Sequence, residues 1–262
     1  MQKLEKGSGR IIPGSEPLNK TFVIAECGIN HGGDLNVAMK MVVKAADAGA
    51  DMAKFQSYRP KEVLGVDSPY LAEADRCQFN MDELILLDEH CDSMGIEFGC
   101  SFFHADQIKD AEKYLGLKRY KVASRAALNH DFLAAINKTG KPVIMSCGLL
   151  PDGDSIQGAL SHLADCPITL LHCVCDYPTS LDNVDLDRMN RISRAPLGRY
   201  EVGFSSHCPE MAPTIAAVAR GAVVTENHVK LDDPMKGCDM SSSMPFSEFR
   251  QMVRIIRDME RL

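Results

Sequence analysis

The chain alternates continuous apolar runs with amphipathic stretches, eight times over. Apolar runs without polar alternation are typical of strands buried on both faces. The amphipathic stretches have helical spacing, and a helical crossover makes the strands on either side of it parallel. The predicted strands span 22–27, 51–58, 96–102, 119–124, 142–147, 168–174, 200–206 and 222–229. The helices that follow them, in the same order, span 34–50, 81–95, 105–116, 130–140, 154–164, 184–192, 210–221 and 245–260.

Eight such units predict an α/β fold, the (β/α)8 TIM barrel, as a single domain. The length of 262 residues suits this barrel, which uses about 250 residues as one unit. A doubly wound open sheet is the alternative, but no G-x-G-x-x-G follows the first strand. We expect residues 1–20 to be an N-terminal extension, residues 21–262 to form the barrel, and the long stretch 59–80 to cover its mouth.

Composition excludes several classes of protein. The net charge is −7, without a basic run or zinc-finger spacing, so we expect no nucleic-acid partner. The N-terminus lacks the apolar core of a signal peptide, and no window reaches the roughly 18 apolar residues of a membrane span. The ten cysteines fall largely within predicted strands and helices of a chain too large to need disulfides. We therefore expect reduced thiols, no membrane association and a cytoplasmic location.

Polar side chains collect where the predicted strands end, which is the face on which such barrels carry their active sites. They are Glu26, Asn30, His31, Lys54, Gln56, Ser101, Lys121, Ser124, Ser146, His172, Cys175, Asp176, Tyr177, Ser205, His207, Glu226 and His228. Residues two apart share one face of a strand, so Glu226 and His228 should point the same way. The same spacing places Lys54 and Gln56 on one face of their strand.

The residue types at these strand ends indicate an anion site and a metal site. Burying Lys54 and Lys121 is costly unless an anion compensates them, so with four serines they indicate a phosphate or carboxylate ligand. His207 and His228 beside carboxylates indicate a divalent metal with open positions. Taken singly, each has an ordinary explanation: a lysine at a sheet edge, a hydrogen-bonded core histidine, a serine that caps the backbone. Their joint placement favours a site.

Six stretches along the chain form a recognisable set of motifs. They read FVIAECGINHGGDLNVAMKMVVKAADAGADMAKFQSY, YKVAS, KPVIMSCG, LHCVCDYPT, GFSSH and ENHVKLD. Together they closely resemble the N-acetylneuraminate (sialic acid) synthase family, over nearly all of the chain from residue 20. That family condenses phosphoenolpyruvate with an amino-sugar aldehyde to give a 3-deoxy-2-keto sugar acid.

The resemblance implies roles for individual residues. His207 and His228 would bind Mn²⁺ or Mg²⁺, Glu26 would order a metal-bound water, and Asp239 would contact the sugar. The phosphoenolpyruvate pocket carries over to Lys54, Ser101, Lys121, Ser124, Ser146, Tyr177 and Ser205, and we add Gln56 beside Lys54. We expect Glu26, Lys54, Lys121 and Asp239 to be catalytic. The partners would be small molecules, and relatives suggest a homodimer.

The sequence also departs from the family pattern. Arg125 and Ala126 stand where the family has a glycine and an acid that contacts the acceptor sugar. Cys175 stands where the phosphate pocket has an asparagine. The chain stops at Leu262, without the family's small antifreeze-like domain. Because an alanine cannot transfer a proton and Arg125 favours an anionic group, we expect an altered, anionic acceptor.

Two other functions stay open from the sequence. One is a metal-dependent aldolase, lyase or epimerase that acts on an anionic sugar without phosphoenolpyruvate. The other is a non-catalytic relative whose barrel binds an anion. Both are compatible with the lysines and histidines at the strand ends, so only a reaction that depends on phosphoenolpyruvate separates them from a synthase.

Overall fold

The computed structural model describes residues 20–193, 200–233, 237 and 239–262. Within them the strands are β1 (Phe22–Gly28), β2 (Met52–Gln56), β3 (Glu97–Ser101), β4 (Tyr120–Val122), β5 (Val143–Ser146), β6 (Ile168–Cys173), β7 (Glu201–Ser206), β8 (Val224–Lys230) and β9 (Met244–Pro245). The α-helices are α1 (Leu35–Ala48), α2 (Pro60–Leu64), α3 (Leu71–Arg76), α4 (Met81–Ser93), α5 (Ala105–Tyr114), α6 (His130–Asn137), α7 (Asp154–Ser161), α8 (Asp187–Ile192), α9 (Ala212–Ala219) and α10 (Phe246–Met259).

The first eight strands form a closed parallel barrel in chain order, because β1 also pairs with β8. Glu26 on β1 lies opposite Lys54 on one side and His228 on the other. The predicted (β/α)8 barrel is therefore confirmed as a single domain. The short β9 was not predicted; it pairs with the end of β8 through Val229 and Met244.

Helix α1 shows how local sequence sets the element boundaries. The Asp34 carboxylate accepts hydrogen bonds from the backbone N–H groups of Asn36 and Val37, at 2.8 and 3.4 Å. At the other end Gly49 adopts φ 83°, a left-handed conformation that favours glycine. The predicted stretch 34–50 thus contains a helix together with both of its caps.

The barrel interior has two layers. The lower layer is an apolar plug of buried side chains: Ile24, Met52, Ile144, Leu171 and Val224. Because side chains alternate along a strand, the residue two positions further along points into the barrel above the plug. Those residues are Glu26, Lys54, Ser146, Cys173 and Glu226. The plug therefore closes the polar layer on the side of the amino ends of the strands, and the layer is open to solvent only at their carboxyl ends.

Charged side chains connect the two ends of the described chain at the face of the barrel opposite the polar layer. The backbone N–H of Thr21 donates to Glu260 at 2.7 Å, and Arg257 donates to the Thr21 carbonyl at 2.7 Å. Arg257 also donates to Asp51 at 2.6 Å. These contacts fix the start of β1 against α10, and so stabilise the closure of the barrel away from the polar layer.

Some boundaries differ from the prediction. The stretch 59–80 is not a plain loop, since it contains α2 and α3. The fourth strand is only Tyr120–Val122, and Cys175 lies beyond the end of β6. Most of the expected extension, residues 1–19, lies outside the described residues. Among the described helices, none has the length and apolar character needed to cross a membrane.

Candidate active site

A cavity of about 500 Å³ opens at the carboxyl ends of the strands. Of the polar residues predicted at the strand ends, Asn30, His31, His172 and Asp176 do not line it. Every residue to which a role was assigned does line it: Glu26, Lys54, Gln56, Ser101, Lys121, Ser124, Arg125, Ser146, Tyr177, Ser205, His207, His228 and Asp239. Segments far apart in sequence thus meet at one mouth. The roles given to these residues stay predictions.

One side of the cavity, which we call the strand half, consists of buried residues on the barrel strands: Glu26, Lys54, Ser101, Lys121, Ser146, Ser205 and Glu226. Lys54 Nζ contacts the Glu26 carboxylate and donates to Ser101 Oγ at 3.0 Å. Gln56 Nε2 donates to the other oxygen of Glu26 at 2.6 Å. Lys54 therefore sits in a shell of oxygen atoms.

Glu226 joins the two lysines of the strand half. Its oxygens lie 3.5 Å from Lys54 Nζ and 3.2 Å from Lys121 Nζ. Ser205 Oγ donates to Glu226 at 2.8 Å, and Lys121 donates to Ser146 Oγ at 2.9 Å. Ser101, Ser146 and Ser205 contact ionic side chains and not the backbone, whereas Ser124 Oγ accepts a hydrogen bond from the backbone N–H of Gly148 at 3.0 Å. Sequence reasoning placed Glu226 at a strand end without giving it this central position.

Burial and pairing together set the charges of this network. Burial alone would lower the pKa of Lys54, but the carboxylates of Glu226 and Glu26 raise it to about 12. Burial alone would raise the pKa of Glu226, but Lys121 and Lys54 hold it well below its usual range. Lys54 and the bridging carboxylate of Glu226 are therefore charged at neutral pH. An anionic ligand can exchange partners with them without any prior proton transfer.

Next to the strand half lies the histidine group, made of Tyr177, His207, His228 and Asp239. The His207 and His228 rings have centroids 5.5 Å apart, and Tyr177 stacks on His207 at 3.9 Å. Asp239 Oδ2 lies 3.8 Å from His228 Nδ1. A Cβ added at Gly28 would lie 3.1 Å from Asp239 and 3.3 Å from His228, so glycine gives this group its room.

The orientation and charge of His207 would allow it to bind a metal. His207 Nδ1 lies 2.5 Å from the Val174 carbonyl, which fixes the proton on Nδ1 and leaves the Nε2 lone pair toward Tyr177 OH at 2.8 Å. Metal-binding histidines use this arrangement. Burial, with the nearby His228, lowers the pKa of His207 to about 3, so the ring is neutral as a ligand must be. No cluster of three or more potential ligands occurs among the described residues.

Asn30 is a supporting residue that sequence reasoning left without a role. Its amide donates to the Val229 carbonyl at 2.8 Å and to Ser243 Oγ at 2.7 Å. Ser243 Oγ in turn donates to the Asp239 carbonyl at 2.6 Å. The turn after β1 therefore holds the turn that carries Asp239, which places that carboxylate beside His228.

The other side of the cavity, which we call the cover half, is formed by Tyr58, Val63, Leu64, Tyr70, Ala74 and Arg125. All of these residues except Arg125 lie in the connection between β2 and α4. The stretch 59–80 therefore covers the mouth of the barrel, as expected. The Arg125 guanidinium donates to the Val63 carbonyl. Ala126 is 3% exposed and does not line the cavity, so Arg125 alone of that pair faces a ligand.

Comparisons with known proteins agree with these observations. A model of the NeuB family matches residues 41–262. The N,N'-diacetyllegionaminic acid synthase of Campylobacter jejuni is 34% identical, over 93% of this chain and 78% of that protein. Human N-acetylneuraminate-9-phosphate synthase is 29% identical, over 99% and 75%. The N-acetylneuraminic acid (sialic acid) synthetase from Leptospira borgpetersenii, solved with citrate, superimposes with a TM-score of 0.88 at 30% identity, over 93% and 85%.

The family match covers most of the barrel, and the sequence similarity extends through the strands that carry both lysines and both histidines. The relatives named above are synthases or a synthetase. The chain is therefore an enzyme, and it belongs to the NeuB family.

Proposed function

We propose that this enzyme condenses phosphoenolpyruvate with the aldehyde of a sugar or sugar-like molecule, with a divalent metal, to give a 3-deoxy-2-keto acid. The observation that carries the proposal is the strand half, where Lys54 and Lys121 converge within one polar layer above an apolar plug. A ligand with two anionic groups suits that arrangement. The adjacent histidine group suits a metal beside the bound donor.

Phosphoenolpyruvate binds in the strand half in this proposal. Its phosphate and carboxylate take over contacts that Lys54 and Lys121 now make with Glu226. The hydroxyls that already contact this network, on Ser101, Ser146 and Ser205, turn toward the ligand oxygens. Buried lysines with fixed partners hold the donor's C3 in one orientation, which lowers the entropic part of the barrier.

The metal, Mn²⁺ or Mg²⁺, would be held by His207 and His228. When bound, it supplies Lewis-acid polarisation of the aldehyde oxygen. His207 keeps its ring orientation through the Val174 carbonyl, and Tyr177 must release Nε2 for coordination. Asp239, beside His228, contacts the acceptor hydroxyls.

Carbon–carbon bond formation leaves C2 of the donor electron-poor, and a water adds there. Glu26 accepts the proton of that water, since its carboxylate faces the cavity between Lys54 and Gln56. Phosphate then leaves by cleavage of the bond between C2 and oxygen. Lys54 and Lys121 stabilise the negative charge that the phosphate carries away.

The acceptor occupies the cover half, and we propose that it carries a negative charge. Arg125 uses one of its N–H groups on the Val63 carbonyl, and a guanidinium has five. The remaining walls are aromatic and aliphatic, with Tyr58, Leu64 and Tyr70 among them. A charged group on the acceptor gives Arg125 a partner that those walls cannot provide.

One experiment separates this function from the alternatives. Purified enzyme with phosphoenolpyruvate, Mn²⁺ and a panel of neutral and anionic aldoses should release phosphate only when an aldehyde is present. Turnover of a sugar without phosphoenolpyruvate would instead indicate an aldolase, lyase or epimerase. Binding of phosphoenolpyruvate without any turnover would indicate a non-catalytic relative.

The proposal includes a homodimer, as the resemblance suggests, and a cytoplasmic location, as the cysteines and the N-terminal sequence suggest. Light scattering of the purified chain measures the first, and fractionation of the source cells measures the second.

A further inference from the structure

Two cysteines lie side by side on the wall of the cavity. Cys173 ends β6 opposite Ser205 of β7, and Cys175 follows two residues later. A Cβ added at Gly148 would lie 2.5 Å from each sulfur, so the sulfurs are at most twice that distance apart. Cys173 Sγ also lies 3.0 Å from Ser124 Oγ. We call Cys173 and Cys175 the thiol pair.

Cys175 differs from the other described cysteines in its access to solvent. Of the nine described cysteines, eight are buried and Cys175 alone is partly exposed, where it lines the cavity. Burial raises the pKa of the thiols at Cys91 and Cys166. Reaction of a thiol requires access to the reagent as well as the thiolate form. These two thiols are buried and protonated, so they are unreactive on both grounds.

The neighbours of Cys175 favour its thiolate. A hydrogen bond from Cys173 outweighs burial and lowers the pKa of Cys175 to about 6. Ser124 contributes a further hydrogen bond, and among the charged groups Arg188 of α8 opposes the adjacent Asp176. The same contact raises the pKa of Cys173, which therefore keeps its proton. The pair combines an accessible thiolate with a second thiol within reach.

We infer that the thiol pair is a modification site for hydroperoxides, whose oxidation to a disulfide closes the strand half to the donor. The effect of the disulfide on donor binding rests on the proposed function, in which phosphoenolpyruvate binds in the strand half. Cys173 lies in the ring of that half, beside Ser205 in register. Drawing Cys175 onto Cys173 shifts the segment that leads to Tyr177 and removes the hydrogen bond that Ser124 shares with Cys173.

The reaction balances with a hydroperoxide as the oxidant. The Cys175 thiolate attacks the terminal oxygen, the O–O bond breaks, and the alkoxide leaves as an alcohol after taking a proton. The resulting sulfenic acid is attacked by the Cys173 sulfur, a S–S bond forms, and hydroxide leaves as water with the Cys173 proton. Two electrons pass from the sulfurs to the peroxide, and dithiothreitol reverses the reaction.

The test uses the full chain, reduced and then treated with stoichiometric hydrogen peroxide. Non-reducing digestion and mass spectrometry should find the peptide that contains both cysteines lighter by two hydrogens. Titration calorimetry with phosphoenolpyruvate should show binding weakened at least about tenfold, which is 1.4 kcal/mol, and restored by dithiothreitol. Phosphoenolpyruvate added first should slow the oxidation.

Variants sharpen the result. Cys175→Ser and Cys173→Ser should each bind the donor equally before and after peroxide, whatever their starting affinity. Cys166→Ser, the most exposed of the buried thiols at 7% and outside the cavity, should respond like the parent. A peptide that keeps both hydrogens overturns the modification site. A disulfide with unchanged donor affinity overturns the closure, whereas a reduced protein that never binds phosphoenolpyruvate overturns the proposed function and the closure with it.

Discussion

The strand half of the cavity stands on the barrel itself, whereas the cover half stands mainly on the connection between β2 and α4. In the strand half, Lys54, Lys121 and Glu226 are each less than a tenth exposed, and each has at least two ionic or hydroxyl partners. In the cover half, Tyr70 is 55% exposed and Leu64 is 36% exposed. Strand positions fix side chains to within the geometry of the sheet, while short surface helices leave them freer to change.

The difference indicates a division of labour. A donor common to many reactions suits residues that cannot move independently, since any change disturbs several partners at once. An acceptor that differs between family members suits residues on a connection that tolerates substitution. Two of the chain's departures from the family pattern are at this side of the cavity. Arg125 belongs to the cover half, and Ala126 is its neighbour in sequence. The exception is Cys175, on the wall near the strand half.

The largest effect should come from the histidine group, which holds the metal in the proposed function. His207→Ala or His228→Ala should abolish turnover and stoichiometric Mn²⁺ binding, because two ligands of one ion are not independent. Metal analysis after dialysis and an activity assay measure the two effects. His130→Ala, exposed and outside the cavity, is the control. Full metal content in either variant would show that the histidines do not form the site.

The lysines of the strand half come next. Lys54→Met and Lys121→Met should each weaken phosphoenolpyruvate binding by about 2–5 kcal/mol, the usual cost of leaving a buried charge without its partner. Calorimetric titration measures the affinity, and Lys109→Met on the surface of α5 should not change it. Unchanged affinity in both variants would move the donor out of the strand half and favour the aldolase alternative.

Glu226 tests whether the strand half is a single charged network. Glu226→Gln should lower the free energy of unfolding at pH 7 by about 3 kcal/mol, since it breaks a buried ion pair. The folded-state pKa of Glu226 lies below the unfolded value of about 4.3. Its stabilisation is therefore fully present above that pH, declines as the pH falls below it, and is lost once the pH has fallen through the folded-state pKa. Urea denaturation should show a smaller difference in unfolding free energy between parent and variant at pH 3 than at pH 7.

The smallest effect belongs to the cover half. Arg125→Met should lower kcat/KM for an anionic acceptor about tenfold, because an exposed charged contact contributes little more than 1 kcal/mol. Phosphoenolpyruvate affinity should stay constant, and N-acetylmannosamine, which is neutral, should be a poor acceptor for the parent. Efficient use of that neutral sugar, unaffected by the substitution, would remove Arg125 from acceptor recognition.

The sequence predicts the barrel and the membership of the strand half well, because both follow from a spacing of two residues along apolar strands. It does not predict that Glu226 bridges Lys54 and Lys121, since those contacts join three different strands at a closed ring. It also misses α2 and α3, which are too short for a clear helical period. The orientation of Ala126 away from the cavity depends on the turn that follows β4, and that turn is set by packing.

The bridging position of Glu226 has a consequence for which anions can bind in the strand half. Its carboxylate already lies between the two lysines, where an incoming anion would be drawn. A chloride ion would have to separate Glu226 from a lysine and could offer that lysine only a single contact in exchange. A molecule with an anionic group at each end offers both lysines a new partner at once. The strand half should therefore bind chloride weakly and favour ligands that carry two anionic groups.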